Sequence, residues 1–474
     1  MDIKKTKIIC TLGPSTKEPL VLENMLKAGM NVARLNFSHG THEEHKKNIE
    51  LFRSVRDKLN IPAAVLLDTK GPEIRFGSFV NGGVKITKGD KIILTTEEIL
   101  GDATKAYINY KDLPSQLVKD NVILVDDGKL SLVVERTTEN EIYCTVKNGG
   151  ILSDHKSVNV PYVNLNMEYL NDTDKKDLLF GIENNVDFIA ASFVRRKEDI
   201  IDLRKFLEYN GGRNIKIISK IENIEGVNNF DEILKYSDGI MIARGDMGVE
   251  VEYERLPGLQ KRFIKKCYKS GKMVVTATQM LDSMINSPSP TRAEITDVAN
   301  AVFDGTSAIM LSGESAIGKY PVKAVEVMSK IAIQAEKDLI EIKTTAGIHY
   351  EVDTDTTNAV CDASCRAARD LNAKAIIAVT KNGSTARSMS KFRPNVPIIA
   401  ATPEEKTFHQ LSLSWGVYPV LAKYQHTTDD LFAHAVACAK QIDMVETGDK
   451  VVITAGVPLN ITGNTNLLKV ETVY

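Results

Sequence analysis

Short apolar runs that end in polar clusters recur along the first three-quarters of the chain, and helical patterns separate them. Eight of these runs have the length and β-branched content of buried strands. We predict strands at residues 7–12, 32–35, 63–67, 188–191, 215–219, 239–243, 273–277 and 307–311. Helices are predicted between them, for example at 20–27, 43–59, 172–184, 255–270 and 320–337. Eight strand–helix units predict a (β/α)8 TIM barrel, and an open doubly wound sheet is the alternative.

A long insertion separates the third predicted strand from the fourth. About a hundred residues intervene between residue 72 and the next predicted helix at 172–184, far more than an ordinary loop contains. Short β-branched segments occupy this insertion at 84–86, 91–95, 122–125, 130–136 and 142–147. Turn-forming residues separate these segments, so we predict a small β-barrel domain. A domain inserted at this point could close over the main barrel as a lid and exclude water.

A third domain is predicted after residue 342, where the hydrophobic pattern changes and 343–355 has linker character. Helices at 357–371, 385–392, 404–414 and 429–442 alternate with strands at 375–379, 398–401, 417–421 and 450–455. This alternation is typical of an open α/β sheet. The predicted domains are the barrel at 1–70 and 171–342, the lid at 71–170 and a C-terminal α/β domain at 343–474.

Composition limits the classes of partner. The 474 residues carry a formal net charge of −2 and 43% of them are hydrophobic, which predicts filled cores and no nucleic-acid or membrane partner. The N-terminus lacks an apolar signal region, and no run of about 18 apolar residues occurs. The six cysteines are expected to be reduced thiols, as in a cytoplasmic protein.

Charged side chains follow the predicted barrel strands at the end where such barrels bind ligands. Lys220 and Glu222 follow the fifth strand, and Arg244 and Asp246 follow the sixth. Two carboxylates from neighbouring strands can share a hard divalent cation beside a lysine, although buried salt bridges would give the same pattern. The same rim also collects Arg34, Asn36, Ser38, Asp68, Thr69, Lys70, Glu73, Arg75, Thr278 and Glu314.

This set of side chains suits a phosphorylated, acidic substrate. A metal ion and arginine would bind phosphoryl oxygens, while lysine would neutralise the charge that appears as the bond breaks. Arg34, Asn36 and Ser38 alternate along one strand end and therefore face one side. Hydroxyl groups near Asp68 offer oxygen ligands for a second cation.

Five stretches resemble the pyruvate kinase family, in its bacterial form. They are ARLNFSHG at 33–40, LDTKGPEIR at 67–75, SKIEN at 219–223, ARGD at 243–246 and ATQML at 277–281. The resemblance covers essentially the whole chain in matching order. It implies transfer of the phosphoryl group of phosphoenolpyruvate to ADP, giving pyruvate and ATP in the final step of glycolysis. It also implies a homotetramer, and we expect no extra C-terminal domain beyond Tyr474.

The resemblance implies particular ligands for the metal ions and the nucleotide. Glu222 and Asp246 are expected to hold Mg2+ (or Mn2+), while Arg75 and, from the lid, Lys156 contact the nucleotide. Potassium is expected to be held by Asn36, Ser38, Asp68 and Thr69. Family members that carry Glu at the position of Glu73 depend on potassium, so we expect potassium activation.

The resemblance also implies the residues that act on the substrate. Lys220 is expected to stabilise the phosphoryl group during transfer, and Arg34 to bind the substrate's phosphate. The backbone of Gly245 and Asp246, together with Thr278, would surround the substrate carboxylate. Thr278 is further expected to relay a proton through water to the enolate, because no histidine follows a predicted strand closely enough to do so.

A candidate effector site lies in the third domain, where a glycine-rich turn opens a helix. Such a turn can bind phosphate, but an ordinary helix cap is equally consistent with it. The candidate residues are Thr380, Lys381, Asn382, Gly383, Ser384 and Thr385. Loop 457–465 contains no Lys or Arg, which argues against a sugar bisphosphate and leaves a sugar monophosphate or AMP as the phosphorylated allosteric effector.

Two other functions are considered. Another metal-dependent barrel enzyme of phosphoenolpyruvate or pyruvate, a lyase or aldolase, would explain Glu222 and Asp246 equally well. It would not explain Arg75, Lys156 or the potassium ligands. A non-enzymatic sensor of phosphorylated metabolites would have no use for Lys220 beside two metal ligands.

Overall fold

The structure is a computed structural model that describes residues 3–345, 355–459 and 464–474. Its strands are β1 (Lys7–Thr11), β2 (Val32–Asn36), β3 (Ala64–Asp68), β4 (Ile74–Arg75), β5 (Gly83–Ile86), β6 (Lys91–Thr95), β7 (Lys105–Tyr107), β8 (Val122–Val125), β9 (Leu130–Thr137), β10 (Glu141–Asn148), β11 (Gly150–Ser153), β12 (Ser157–Asn159), β13 (Phe188–Ala191), β14 (Lys216–Ile221), β15 (Gly239–Ala243), β16 (Met273–Ala277), β17 (Ala308–Leu311), β18 (Ala375–Val379), β19 (Ile398–Thr402), β20 (Val417–Leu421), β21 (Lys450–Ala455) and β22 (Leu467–Thr472).

The α-helices begin at caps that the local sequence provides. Thr41 and Thr291 each accept a hydrogen bond from the backbone of a glutamate three residues later, which completes a capping box. The helices are α1 (Pro19–Ala28), α2 (His42–Lys58), α3 (Leu113–Gln116), α4 (Asp172–Glu183), α5 (Lys197–Tyr209), α6 (Ile224–Asn228), α7 (Phe230–Tyr236), α8 (Arg244–Glu250), α9 (Leu256–Lys269), α10 (Arg292–Phe303), α11 (Gly313–Ala316), α12 (Pro321–Thr345), α13 (Thr356–Asp370), α14 (Ser384–Lys391), α15 (Glu405–Gln410) and α16 (Thr428–Gln441).

The eight predicted barrel strands close into a cylinder. Their order around the wall is β1-β17-β16-β15-β14-β13-β3-β2, and every neighbouring pair is parallel. The strands are buried on both faces, because helices cover the outside and side chains fill the inside. The prediction of a (β/α)8 barrel, rather than an open sheet, is confirmed.

The insertion between β3 and β13 forms its own core and its own sheets. A seven-stranded sheet has the order β4-β12-β8-β9-β10-β6-β7, and β5 pairs with β11. A bridge between Phe76 and Ile108 joins the two edges of the larger sheet, so the sheet curls until its ends meet. Side chains such as Leu132 and Ile142 fill the interior. Strands β4, β7, β11 and β12, which are two to four residues long, were not predicted.

The C-terminal domain is an open sheet of order β20-β19-β18-β21-β22 with helices around it. Strands β18 to β21 are parallel and match the prediction, whereas β22 is an unpredicted antiparallel edge strand. The predicted linker begins inside α12, and its residues 346–354 lie outside the described part of the chain. No helix within the described residues is long and apolar enough to cross a membrane. The predicted domain boundaries stay a prediction.

Candidate active site

The inside of the barrel changes from apolar to charged along its length. On β14, Ile218 lies in the inner core, and Lys220 follows it on the same face because strand side chains alternate. On β3, Leu66 and Asp68 are related in the same way, as are Val32 and Arg34 on β2. The strand sequences therefore deliver charged groups to one end of the cylinder.

Hydrogen bonds join these charged groups into one network. Asp68 accepts from Arg34 Nε at 2.6 Å and from Lys220 Nζ at 3.0 Å. Lys220 Nζ also lies 2.9 Å from Glu222 and donates to Ser192 Oγ at 2.7 Å. Arg34, Asp68, Lys220 and Glu222, predicted from separate strands, are therefore brought together. The ammonium group is held between two carboxylates.

Burial and charge act against each other within this network. Burial tends to raise the pKa of Asp68, but the adjacent Arg34 and Lys220 outweigh it and hold that pKa below its ordinary value. Burial tends to lower the pKa of Lys220, but Asp68 and Glu222 outweigh it and raise that pKa. The site therefore presents a charged lysine at neutral pH.

Glu222 and Asp246 form the candidate divalent-metal pair. Burial raises the pKa of Glu222, with Lys220 opposing the rise and Asp246 adding to it. Glu222 is only 1% exposed and accepts a hydrogen bond from the Phe193 backbone at 2.6 Å. A divalent cation would relieve the repulsion between two such carboxylates, so these oxygen donors fit Mg2+ or Mn2+. Within the described residues no cluster of three or more metal-binding side chains occurs, so water or substrate oxygens would have to complete the shell.

The lid approaches the barrel at this same rim. Asp246 lines a cavity of ≈ 290 Å³ together with Arg75 and Lys156 from the lid segment. Arg75 forms a 2.7 Å ion pair with Glu73, and Lys156 donates to Asp126 at 2.7 Å. The two predicted nucleotide-binding residues therefore face the predicted metal ligand across one cleft.

Thr278 and Gly245 meet beside the network. The Gly245 backbone donates to Thr278 Oγ1 at 2.8 Å, and Thr278 has a positive φ of 70°, an uncommon backbone conformation for a non-glycine residue. Arg244 donates to the Thr278 carbonyl oxygen at 2.7 Å and to Asp297 at 2.7 Å. Arg244 therefore supports the loop that carries Thr278.

The four predicted potassium ligands lie at the ends of adjacent strands β2 and β3. Asn36 pairs in register with Asp68, and Asn36 Oδ1 accepts from the Ser38 backbone at 3.2 Å. The Thr69 carbonyl oxygen accepts from Ser192 Oγ at 2.6 Å. Carbonyl, hydroxyl and carboxylate oxygens from one neighbourhood suit a monovalent cation, while Arg34 and Lys220 compete for Asp68. Glu314, by contrast, holds loops together by accepting from the Leu281 and Ser312 backbones.

Two side chains in the network were not predicted. Ser192 is 1% exposed and accepts from Lys220, and its single hydroxyl hydrogen is shared between the Thr69 carbonyl oxygen at 2.6 Å and Asp68 at 3.1 Å. Thr11 accepts from Arg34 Nη1 at 2.9 Å. Both follow or end barrel strands, so their position at the rim was visible in the sequence. Nothing local distinguished them from other hydroxyl residues.

The candidate effector residues line a cavity in the C-terminal domain. Its volume is ≈ 110 Å³, and five of the six predicted residues, all except Gly383, form part of its wall. Gly383 has a φ of 80° and caps α14, a conformation that favours glycine. Thr385 and Thr465 hydroxyls lie 2.8 Å apart, and Lys381 Nζ lies 5.6 Å from the Tyr424 ring. The cavity therefore offers hydroxyl and cationic groups beside an aromatic ring.

Comparison with known proteins places the whole chain in one family. Residues 3–325 match the family model "Pyruvate kinase, barrel domain", and 358–471 match "Pyruvate kinase, alpha/beta domain". The pyruvate kinase of Clostridium acetobutylicum is 50% identical over 99% of this chain and 100% of its own length. That of Staphylococcus haemolyticus is 48% identical over 99% of this chain and 81% of its own. A crystal structure of a pyruvate kinase from Cryptosporidium parvum has a TM-score of 0.91 and 39% identity, covering 99% of this chain and 96% of that one. This chain belongs to the pyruvate kinase family.

Proposed function

We propose that this protein transfers the phosphoryl group of phosphoenolpyruvate to ADP, giving pyruvate and ATP. The observation that carries the proposal is the position of Lys220, held between Asp68 and Glu222 at the charged end of the barrel. A buried, charged ammonium beside two candidate metal ligands is suited to a negatively charged group in transfer. Family membership supports the same reaction.

The chain's own residues divide the work of binding and transfer. Arg34 binds the phosphate of phosphoenolpyruvate, and Asp68 orients the Arg34 guanidinium through its 2.6 Å hydrogen bond. Lys220 neutralises charge on the phosphoryl group as it leaves the substrate oxygen. The Gly245 and Asp246 backbone and Thr278 surround the substrate carboxylate. Positioning and charge are the main demands of phosphoryl transfer.

Metal ions complete the proposed site. Glu222 and Asp246 would hold Mg2+ or Mn2+, which supplies positive charge to phosphoryl oxygens when it is bound. Potassium would be held by Asn36, Ser38, Asp68 and Thr69. Glu73, paired with Arg75 in the cleft, is the residue that leads us to expect potassium dependence.

Potassium dependence is tested by replacing the cation. With phosphoenolpyruvate, ADP and Mg2+ held saturating, exchange of potassium for tetramethylammonium at constant ionic strength should lower the steady-state rate strongly. A large organic cation cannot enter an oxygen-lined site, although it preserves the screening of surface charges. An unchanged rate would contradict the assignment of the four ligands.

Two further steps complete the proposed reaction, namely binding of ADP and protonation of the enolate. Arg75 and Lys156 contact the ADP phosphates from the lid side of the cleft that they share with Asp246. After transfer, the enolate takes a proton on carbon, and Thr278 relays that proton through water. No histidine among the described residues lines this cleft.

The reaction is tested by coupling it to lactate dehydrogenase. Purified protein with phosphoenolpyruvate, ADP, Mg2+ and potassium should consume NADH, and omission of ADP should stop the reaction. A lyase or aldolase that releases pyruvate would consume NADH without ADP, and a binding protein would consume none. Either result would overturn the proposed function.

The effector cavity is proposed to bind a phosphorylated metabolite that regulates the enzyme. The hydroxyl groups of Ser384 and Thr385 and the Lys381 ammonium suit one phosphate, and Tyr424 suits a sugar or base beside it. AMP and a hexose monophosphate should each be titrated against the rate at low phosphoenolpyruvate. Activation that Lys381→Gln weakens supports this site. Identical activation of the variant would place the effector elsewhere.

Assembly and location are also proposed from the family resemblance. We expect a homotetramer in the cytoplasm, with no nucleic-acid or membrane partner. Sedimentation velocity of the purified chain, with and without ligands, measures the assembly state directly. A stable monomer that is fully active would contradict the proposed tetramer.

A further inference from the structure

A small crevice separates the base of the barrel from the C-terminal domain. It lies at the opposite end of the barrel from Lys220, beside Met273 at the start of β16. Its cationic side chains are Lys272 from the barrel and Arg387, Lys391 and Arg393 from the C-terminal domain. No acidic side chain of the described residues lines it. The crevice therefore has a single sign of charge.

Two of these cations donate only to neutral oxygens among the hydrogen bonds of the described residues. Lys272 Nζ donates to the Leu234 and Lys235 carbonyl oxygens at 2.5 and 2.8 Å. Arg387 Nη2 donates to the Asn382 carbonyl oxygen at 2.8 Å. Asp238, the carboxylate that influences both of them, is itself paired with Arg204 and Lys216. The positive charge of Lys272 and Arg387 is therefore only partly compensated within the described residues.

A buried hydroxyl group in the wall has no partner. Ser414 is 2% exposed, and its Oγ makes no hydrogen bond within the described structure. Buried hydroxyl groups almost always have a hydrogen-bond partner, so an unpartnered one indicates a missing ligand or water. Ser390 stands beside it and donates to the Trp415 carbonyl oxygen at 2.7 Å. The Ser414 hydroxyl group is thus available to donate a hydrogen bond to an anion that the surrounding cations attract.

Burial lowers the pKa of Lys272 and of Arg387, although Asp238 opposes the shift for each. Burying these two groups in their charged form therefore destabilises the folded protein, and a bound anion would offset part of that destabilisation. The open space is only ≈ 10 Å³, about the room of one water molecule. The base or sugar of a nucleotide cannot enter it, but one oxygen of a tetrahedral oxyanion can.

We propose that this interdomain crevice binds a small oxyanion, either free inorganic phosphate or the terminal phosphate of a phosphomonoester. Lys272 approaches the anion from the barrel, Arg387 approaches it from the C-terminal domain, and Ser414 donates its hydroxyl hydrogen. The anion thus links two domains that are also joined here by a 2.7 Å hydrogen bond from Arg393 to the Gly305 carbonyl oxygen.

Helix α14 connects the crevice to the effector cavity. Its first residues, Ser384 and Thr385, line that cavity, and its last residue, Lys391, lines the crevice. Arg387 reaches back to the Asn382 carbonyl oxygen, so it contacts both ends of the connection. An oxyanion in the crevice would compete for Arg387 and thereby influence the loop that the effector cavity uses.

The chain contains a built-in probe for this binding. Trp415 is the only tryptophan, and the Arg393 guanidinium carbon lies 4.4 Å from the centroid of its ring. Titration with inorganic phosphate, sulfate and methyl phosphate should change Trp415 emission and reach saturation, whereas chloride at matched ionic strength should not. If methyl phosphate binds as well as inorganic phosphate, phosphomonoesters are also ligands. If it does not bind, free phosphate is the ligand.

Variants locate the binding. Arg387→Gln and Lys272→Gln, which act from opposite domains, should each raise the half-saturating phosphate concentration about tenfold, and Ser414→Ala about fivefold. Lys265→Gln removes an exposed charge from α9 and should leave the half-saturating phosphate concentration within about twofold of the native value. Unchanged far-ultraviolet circular dichroism verifies folding of each variant, and phosphate should raise the unfolding midpoint of the native chain by mass action.

Several outcomes would overturn the proposal. A phosphate titration that does not saturate would be one. Equal titrations in the native chain and in both Arg387→Gln and Lys272→Gln would be another. Loss of the titration in Lys381→Gln would place the anion in the effector cavity instead. Loss of the titration in Arg34→Gln, which alters the proposed phosphate ligand of the substrate, would place it in the active site. Because the signal needs no catalysis, it fails or succeeds independently of the proposed reaction.

Discussion

Lys220 illustrates how the barrel sets the properties of a single side chain. It is 9% exposed and carries a positive charge because Asp68 and Glu222 lie within 3.0 Å of its Nζ. In a water-poor site such a charge interacts strongly with a transferring phosphoryl group. The same two carboxylates keep the lysine from moving away.

Replacement of this lysine should therefore separate binding from turnover. We expect Lys220→Met to bind phosphoenolpyruvate and Mg2+ nearly as well as the native chain while its turnover falls more than about a hundredfold, the scale of losing a transition-state cation. Lys216→Met is the matched control, because Lys216 lies on the same strand at the opposite end and pairs with Asp238. Near-normal turnover of Lys220→Met would remove Lys220 from its role.

Asp174 makes a second residue-scale prediction. Burial raises the pKa of Asp174 to about 6, opposed by a 3.0 Å hydrogen bond from the Gly71 backbone. The pKa of Asp174 is higher in the folded chain than in the unfolded chain. The contribution of Asp174 to folding stability is therefore fully present below the ordinary pKa of an aspartate and is lost as the pH rises through 6.

Asp174→Asn should remove this dependence. Relative to the native chain, its free energy of unfolding should increase by up to about 3 kcal/mol between pH 4 and pH 7, measured by thermal unfolding across that range. Asp172→Asn, an exposed substitution in the same helical turn, is the control and should show little change. Parallel pH profiles for Asp174→Asn and the native chain would refute the expectation.

At the scale of elements, the lid leaves the barrel through a tight connection. Gly71 follows β3 with a φ of 75°, and a Cβ placed there would lie 2.9 Å from the Ser192 carbonyl oxygen. Ser192 in turn holds Lys220 and Asp68. The start of the lid therefore touches the residue that organises the active-site network.

Gly71→Ala should impair both stability and turnover. The positive φ costs about 1 kcal/mol for alanine, and the contact with Ser192 displaces the network, so we expect turnover to fall about tenfold. Gly89→Ala provides a matched control, because its φ is 96° but nothing lies within 4 Å of the added Cβ. Equal turnover in the two variants would show that Gly71 matters only for backbone strain.

At the scale of the whole molecule, hydrogen bonds to carbonyl oxygens help to attach the C-terminal domain to the barrel, together with Leu413, which packs with the barrel's inner core, and a 3.4 Å ion pair between Lys406 and Asp187. Lys7 Nζ donates to the Val417 carbonyl oxygen at 2.6 Å. Gln410 donates to those of Asp187 and Asn214 at 3.1 and 2.8 Å. These bonds join the base of the barrel to helix α15 and strand β20. Lys7 therefore donates from the base of the barrel directly to the C-terminal domain, and its protonation state bears on this contact.

Lys7 should make the folded chain more stable against unfolding as the pH rises. Burial lowers the pKa of Lys7 to about 7, with Lys4 adding to the shift and Glu336 opposing it. Because the pKa of Lys7 is lower in the folded chain than in the unfolded chain, the contribution of Lys7 to folding stability is present above the ordinary lysine pKa. It is lost as the pH falls through 7. Lys7→Met removes this dependence.

Calorimetry at pH 7 and pH 9.5 provides the test. The unfolding midpoint of the native chain should rise relative to that of Lys7→Met at the higher pH, because only the native chain has the buried lysine at position 7 to deprotonate. Lys88→Met, which alters an exposed lysine in the lid, should keep the native pH dependence. The prediction fails if Lys7→Met and the native chain shift together.

Much of the fold and part of the site followed from the sequence because they depend on local patterns. A buried parallel strand requires a short β-branched run, and its charged end must lie at the rim, so the eight strands and Lys220, Glu222, Asp68 and Arg34 were all predictable. The family motifs added expected roles for them. Strand β22 was missed because its residues are half-exposed at the sheet edge and give no continuous apolar signal.

Only the tertiary structure decided which residues from distant parts of the chain meet. Ser192 and Thr11 join the network across 124 and 23 positions of sequence separation from their partners, and no local pattern encodes such a meeting. The crevice between Lys272 and Arg387 likewise exists only because two domains pack together. The sequence by itself determined the strands and their charged ends through periodicity and burial, whereas long-range packing determined distances, pKa shifts and the spaces between domains.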